Sequence, residues 1–584
     1  MKMNNYMKTR NRFFFLSVLL LAFSFFSCER NVEQNTDENE EEEVINDEGN
    51  AESHDSADDY IWDSSSEISV LLNDNSIACD TTGLSINEST LTITSAGTYN
   101  ISGSLSNGQI IVDTEDEDIV RIILNGVTIT CSNNSPIYVR NAEKTMIVLQ
   151  ENTQNYLTDG ATYSYEESDD DSNACIYSKD DLTIYGEGSL TVTGNFNDGI
   201  TSKDGLIINS KLITVNSVDD GIRGKDYLII EDGEFTIACG GDGLKSDNDE
   251  NAAKGYISIV EGTFSITAGG DAVSAETDVL ITYCEMNITS GKGSNGSVYS
   301  TVSMKGIKAN ELISIDNGIF TINSTDDAIH SNGNISITKG FFEISSGDDG
   351  IHADADLDII DGYINISKSY EGLESTNGNI NIYAGEIDIV SSDDGINISA
   401  GGSSRPGQRT NSSSSCALNI YGGYIVVNSK GDGLDSNNSI TISGGTVIIS
   451  SSESNDNNAL DYDNSCVISG GLVIASGTSR MNQAPSASST QYSASITFNS
   501  TQKAGRMIHI ESDSGNQILT IKPKKSFQSL VVSSPNFEKG TSYNIYLDGS
   551  STGSEENGLY TDGTYTAGSK YSSFSISRIV NYVN

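Results

Sequence analysis

A three-residue phrase returns along this chain at a spacing that few folds can use. Asp198-Gly199-Ile200 is followed by Asp220-Gly221-Ile222 and Asp242-Gly243-Leu244, each step being 22 residues. After an interruption it returns as Lys305-Gly306-Ile307, Asp327-Ala328-Ile329, Asp349-Gly350-Ile351 and Glu371-Gly372-Leu373, again in steps of 22. Looser copies follow at Asp394, Asp432 and Asn458. A fixed period in this range, carried by short β-rich pieces, is the mark of a solenoid, in which each coil buries its face against its neighbours.

One period subdivides into three strand-like pieces. Between Asp327 and Asp348 these are Ala328-Ile329-His330-Ser331, Asn334-Ile335-Ser336-Ile337 and Phe341-Phe342-Glu343-Ile344-Ser345. Each alternates with period two and is bounded by Gly, Asn or Asp. A turn glycine recurs at Gly233, Gly262, Gly318, Gly340, Gly362, Gly385, Gly423, Gly445 and Gly471. The leucine-rich framework is absent, and no segment holds a helical period. The expected fold is therefore all-β: a right-handed parallel β-helix with about 22 residues and three short strands per coil, and with irregular capping coils at both ends. Right-handedness follows from the chirality of parallel crossovers. Residues 66–190 read as N-terminal coils, 191–475 as regular repeats, and 476–584 as C-terminal coils and cap. Gly291 to Ser303, Gly401 to Ser415 and Gly477 to Ala494 read as inserted loops.

The start of the chain reads as an address. Lys2, Lys8, Arg10 and Arg12 precede an apolar run from Phe13 to Phe26 that ends at Ser27-Cys28. Residues 1–27 match a lipoprotein signal peptide with Cys28 as the lipidated first residue; an ordinary cleaved signal is the alternative. Residues 28–65, with Glu40 to Glu43, read as an acidic disordered tether. This implies a bacterial lipoprotein at the outer membrane or cell surface, held there through the lipid on Cys28 and monomeric. The other seven cysteines are scattered without a CxxC pair and read as structural.

Charge narrows the partners. With 32 basic against 82 acidic residues, the formal charge is −50. Nucleic acid is excluded, because binding it needs a basic footprint. Acidic polysaccharide is also repelled unless a divalent cation intervenes.

Repetition in sequence becomes stacking in space, so the acids that open each phrase form columns. Carboxylates about 5 Å apart repel, and Ca2+ relieves this by taking six to eight oxygen ligands. The metal candidates are Asp198, Asp219, Asp220, Asp242 and Asp247, then Asp326, Asp327, Asp348 and Asp349. The competing reading is that Asp-Gly is turn chemistry satisfied by backbone hydrogen bonds. By parity Ile222 and Gly224 point inward while Arg223 and Lys225 point out. Lys203, Arg223, Lys225 and Lys245 then edge the first column as candidate substrate-binding residues, and His330 and His352 edge the second. A lyase would need a Lys or Arg base beside calcium, and Arg223 and Lys225 are the most central. No other catalytic residue is assigned.

Several phrases together resemble a known family. These are Gly97-Thr98-Tyr99-Asn100-Ile101-Ser102-Gly103, Ile123-Leu124-Asn125-Gly126-Val127-Thr128-Ile129, and Ser303-Met304-Lys305-Gly306-Ile307-Lys308-Ala309. Met481-Asn482-Gln483-Ala484-Pro485 and Ser533-Ser534-Pro535 join them, along with the Asp-Asp-Gly-Ile repeats. From Ile68 to Asn584 the chain resembles bacterial carbohydrate-binding, calcium-binding parallel β-helix proteins related in fold to pectate lyases. The resemblance implies a surface protein that holds an acidic, polygalacturonate-like polysaccharide. A calcium-dependent pectate-type lyase and a non-catalytic adhesin or stalk are the alternatives.

Overall fold

The computed structural model describes residues 54–79, 84–164, 172–297, 301–399, 416–453 and 456–584. The segments expected to be a signal peptide, a lipidated Cys28 and a tether lie outside the described residues as far as residue 53, as does the 401–415 insertion. The described chain is all-β, with no α-helix and only short 3-10 turns.

Parallel strands stack coil upon coil. The first strand of each coil joins a 16-stranded sheet that is parallel from Thr90–Ile93 onward. In it Ile200, Ile222, Leu244, Val273, Ile307, Ile329 and Ile351 lie in register, one above the next. All are fully buried, so a single residue position of the repeat supplies an unbroken apolar column. The second and third strands of each coil belong to a 30-stranded sheet. In early coils they run on as one long strand, as in Leu182–Gly194, Gly205–Ser217 and Tyr227–Cys239. From Tyr256–Ile259 and Thr263–Ala268 onward they are separate, so three strands per coil describe the later coils and two the earlier ones. The turn glycine sits between them with positive φ, 144° at Gly340 and 80° at Gly445, a backbone that residues with a Cβ rarely adopt.

The third strand carries the bulkiest core position. Phe235, Phe264, Met286, Phe320, Phe342 and Ile364 stack in register. Phe320 and Phe342 lie ring over ring, with centroids 4.7 Å apart and planes 4° from parallel. Strand ends close on serines: Ser324 and Ser346 donate to the carbonyls of Asp326 and Asp348 at 2.8 and 2.9 Å. These bonds set the turn that presents the recurring acid.

Both ends depart from coils. Leu84–Asn87 pairs antiparallel with Thr90–Ile93 at the N-terminal edge. At the other edge Leu472–Gly477 pairs antiparallel with Phe527–Ser533, which in turn pairs with Ser493–Gln502. A six-stranded sheet follows, its paired strands antiparallel, and it encloses its own core around Phe498, Ile510, Phe527 and Ile545. Coils therefore do not continue through 476–584. Period-two alternation is common to both kinds of sheet, and the last parallel edge needs a cover.

The acidic segment expected to be disordered through residue 65 is ordered from His54. The His54 ring stacks on Tyr227 at 4.0 Å, with its Nε2 2.8 Å from the Tyr256 hydroxyl. Lys144 pairs with Asp55 and Asp59. Arg121 donates to the Asp59 carbonyl and lies over the Trp62 ring at 5.1 Å. Acids of this segment meet scarce cations of the coils, while the buried rings of Tyr227 and Tyr256 supply an apolar bed.

Candidate functional site

The recurring carboxylate has a structural task, visible in its hydrogen bonds. Oδ1 of Asp198 accepts the backbone N–H of Asp220 at 3.2 Å, Asp220 accepts that of Asp242 at 2.8 Å, and Asp242 that of Asp271 at 2.8 Å. Asp271 accepts from Lys305 at 2.6 Å. The bonds resume from Asp327 to Asp349, Asp349 to Glu371 and Asp394 to Asp432. The two expected columns are thus one stack, whose ladder of bonds is interrupted at Lys305 and after Glu371. Asp271, which the insertions set 29 and 34 residues from its neighbours, keeps its place in the series. Lys305 has no carboxylate to offer the next coil, and the doubled acid explains itself there: Asp326 accepts the Asp327 N–H at 3.0 Å. The Lys305 ammonium lies 3.0 Å from Asp326 and 2.6 Å from Asp327.

This makes a sharp prediction at Asp220, which also sits 3.0 Å from Lys245. Asp220→Ala orphans the Asp242 N–H and half-strips a partly buried ammonium, at a cost of about 3 kcal/mol. Asp220→Asn keeps an acceptor for the N–H and costs about 1 kcal/mol. Urea titration measures both; equal losses would show that the hydrogen bond to the next coil is irrelevant.

Three residues after each ladder acid, a side chain points out from the first sheet. In register these are Thr201, Arg223, Lys245, Ser274, Lys308, His330, His352, Glu374, Asn397, Asp435 and Asp461. The run passes from cationic to anionic along the stack. A cleft of about 490 Å³ lies at the cationic part, lined among others by Asp220, Asp242, Lys245, Asp247, Asp271 and Lys308. Lys245 bridges Asp220 and Asp242 at 3.0 and 2.9 Å. Burial alone depresses its pKa, but Asp242 and Asp220 outweigh burial and hold it above the ordinary lysine value, the wrong direction for a base. Arg223 grips Asp247 with two bonds, Nε to Oδ1 at 3.0 Å and Nη2 to Oδ2 at 2.7 Å. Lys308 is only loosely engaged, 3.8 Å from Asp271. Lys203 and Lys225 are half-buried at the next outward position, in the same stack as Asp247.

Further along, His330 and His352 turn Nδ1 onto carboxylates. His330 Nδ1 lies 2.8 Å from Asp327, and His352 Nδ1 lies 3.2 Å from both Asp349 and Glu374. Burial alone raises Asp327, yet His330, Lys305 and His352 hold it well below the usual carboxylate range. Burial lowers His352, but Asp349, Glu374 and Asp327 together push it up to about 9. Asp348 is raised to about 6 by burial and by Asp349 and Asp327.

The anionic part is where sequence reading fell short. Oxygens of Asp394, Asp432 and Asp435 lie within 4.8 Å of one another. Asp394 is raised to about 6 by burial first, with Asp393 and Asp461 adding to it. Asp432 rises to about 7 and Asp435 to about 8, again by burial and then by neighbouring carboxylates. Asn458, the next ladder residue, is 1% exposed, and neither its amide nitrogen nor its amide oxygen is hydrogen-bonded. The missed signal was Asp432-Gly433-Leu434-Asp435, in which ladder position and outward position are both acidic. A second open group, Asp198, Asp219 and Asp220, also lies within 4.8 Å, and Asp198 is raised to about 6 by burial and by Asp220. The group at Asp326, Asp327 and Asp348 differs, since the Lys305 ammonium already occupies it.

The family of carbohydrate-binding domain-containing proteins matches residues 87–350 and 335–410, more than half of the chain. A protein of that description from Acetivibrio thermocellus is 44% identical over 146 residues, covering 25% of this chain and 51% of that protein. The chain thus spans about half the length of that relative. A solved structure described as a polysaccharide lyase-like protein from C. thermocellum, a gadolinium derivative, is 38% identical. The match covers 38% of this chain and 92% of that one, with a TM-score of 0.38.

Proposed function

The chain belongs to the carbohydrate-binding domain-containing family, and from that premise we propose that it binds acidic, polygalacturonate-like polysaccharide with the help of calcium. The coils wind as a right-handed parallel β-helix, in keeping with the chirality of parallel crossovers. The protein is a monomeric lipoprotein held at the bacterial outer membrane or cell surface through Cys28.

The observation that carries this reading is the charge run on the outward face. A protein of charge −50 places Arg223, Lys245 and Lys308 within four adjacent outward positions, and Lys245 and Lys308 line one cleft, where a uronate carboxylate finds cations. At the other end Asp394, Asp432 and Asp435 face one another, and each has its pKa raised. Calcium fits that group, because hard oxygen donors without a neighbouring ammonium are its preferred ligands; at Asp198, Asp219 and Asp220 it would share Asp220 with the Lys245 ammonium, 3.0 Å away. Bound there, it supplies the positive charge that lets an acidic polymer approach. The lyase reading draws no such support: Arg223 is held by Asp247 and Lys245 is kept charged.

Affinity electrophoresis in polygalacturonate tests the proposal. The protein should be retarded in calcium and run freely in chelator, and Lys308→Ala should weaken retardation by about tenfold. Steady release of unsaturated product would instead establish the lyase. If no uronate retards the protein in either condition, the adhesin or stalk reading replaces both.

A further inference from the structure

We infer that His330 and His352, with the Asp327 carboxylate between them, form a second kind of metal site, selective for a borderline divalent transition metal of the zinc class.

The register sets the geometry. His330 and His352 are paired partners on adjacent coils, with ring centroids 4.8 Å apart and planes at 71°. Their Nδ1 atoms face the same oxygen, Asp327 Oδ2, at 2.8 and 4.0 Å. Two bonds of about 2.0–2.1 Å to one ion bring ligand atoms to such separations. The three ligand atoms lie within 4.8 Å of one another. Asp349 and Glu374, each 3.2 Å from His352 Nδ1, offer further oxygens.

The other ring nitrogens prepare these for a metal. His330 Nε2 lies 3.0 Å from the Asn332 amide oxygen, and His352 Nε2 lies 3.3 Å from Asp354 and 3.0 Å from the Thr376 hydroxyl. Amide and carboxylate oxygens only accept, so Nε2 carries a proton, and Nδ1, which also faces carboxylates, carries one in the imidazolium; a metal takes Nδ1 by displacing that proton. Nδ1 is thus the ring atom that can trade a proton for a metal, facing Asp327 in His330 and Asp349 and Glu374 in His352. Lys305 shares Asp327 but keeps Asp326, 3.0 Å away, when a metal takes the first.

Donor chemistry separates this site from the all-oxygen groups. Imidazole nitrogens suit Zn2+, Co2+, Ni2+ or Cu2+, whereas Ca2+ selects oxygen. The inference therefore stands whether or not the polysaccharide reading does.

Calorimetric titration of the metal-free protein with Zn2+, in millimolar-range calcium to fill the oxygen sites, should show one tight equivalent. Co2+ at the same site should give visible absorption bands of a nitrogen- and oxygen-ligated ion. His330→Gln and His352→Gln, which keep polar contacts in the fold, should each weaken Zn2+ at least about 100-fold and abolish the Co2+ bands. Asp394→Asn should leave both signals in place. A calcium-loaded protein with no tight Zn2+ phase would overturn the inference, leaving an imidazolium–carboxylate network only. So would a tight phase that survives in both folded histidine variants.

Discussion

Phe342→Ala should cost about 4 kcal/mol, the largest loss expected from any single substitution discussed here. Phe342 is fully buried, and its ring is stacked on Phe320 at 4.7 Å. Removing it deletes the transfer term, opens a cavity, and loses about 1 kcal/mol of ring pairing besides. A globular core softens such losses by collapsing around the gap. Here the strands on either side are fixed at their spacing by ladders to Ile319–Ser324 and Tyr363–Ser369, so the cavity stays open. Phe342→Leu should cost about 1.2 kcal/mol. Because each coil touches only its neighbours, the loss should also appear as early local exchange around residues 320–364. Hydrogen exchange with urea titration measures both; a loss under 1 kcal/mol would mean the coils can close on the gap.

The second large effect is a dependence on pH that calcium removes. Asp394, Asp432 and Asp435 titrate near 6, 7 and 8 in the folded protein, against about 4 unfolded. Between about pH 4 and 8 the native state holds protons that the unfolded chain has released. Stability must then fall as pH rises through that window. Glu371, pushed up to about 9 by burial and Glu374, and Glu374 at about 7 act in the same direction. His352, raised to about 9, stabilises the fold below the ordinary histidine value, and that contribution is lost as pH passes 9. In chelator the thermal midpoint should drop from pH 5 to pH 8. Calcium at about a hundredfold its Kd should return about 2.7 kcal/mol at the upper pH. Asp435→Asn should flatten the slope. A midpoint that climbs toward pH 8 in chelator would contradict the sign.

How much of this was legible depends on what repetition encodes. A 22-residue period with three alternating pieces specified the stacked strands and the inward column through Ile222, Ile329 and Ile351. The turn glycines also announced themselves, because their positive φ suits glycine alone. The spacings place Asp271 and Lys305 in the repeat, but they do not show that the Asp271 carboxylate serves the Lys305 N–H, or that Asp326 takes over where a lysine stands in for an acid. Nor was the division of labour between oxygens of one carboxylate: Oδ1 serves the next coil and Oδ2 serves the outward residue. That depends on distances, not on spacing. Residues 476–584 read as coils and cap, and the antiparallel pairing there was not legible, since alternation does not record strand direction. His54 to Ser65 looked unstructured because its composition is polar and its partners Lys144, Arg121 and Tyr227 lie far along the chain.

The two ends, being built differently from the middle, free the middle from any particular length. The hairpin at Leu84–Ile93 and the antiparallel cover on Leu472–Gly477 each meet one coil face and ignore how many coils lie between. Duplicating one unit in the gene therefore adds a rung without exposing a new edge. Each added rung extends the outward run by one residue and the ladder by one acid. Reach and charge thus become quantities that tandem duplication can tune, while folding at both termini proceeds unchanged.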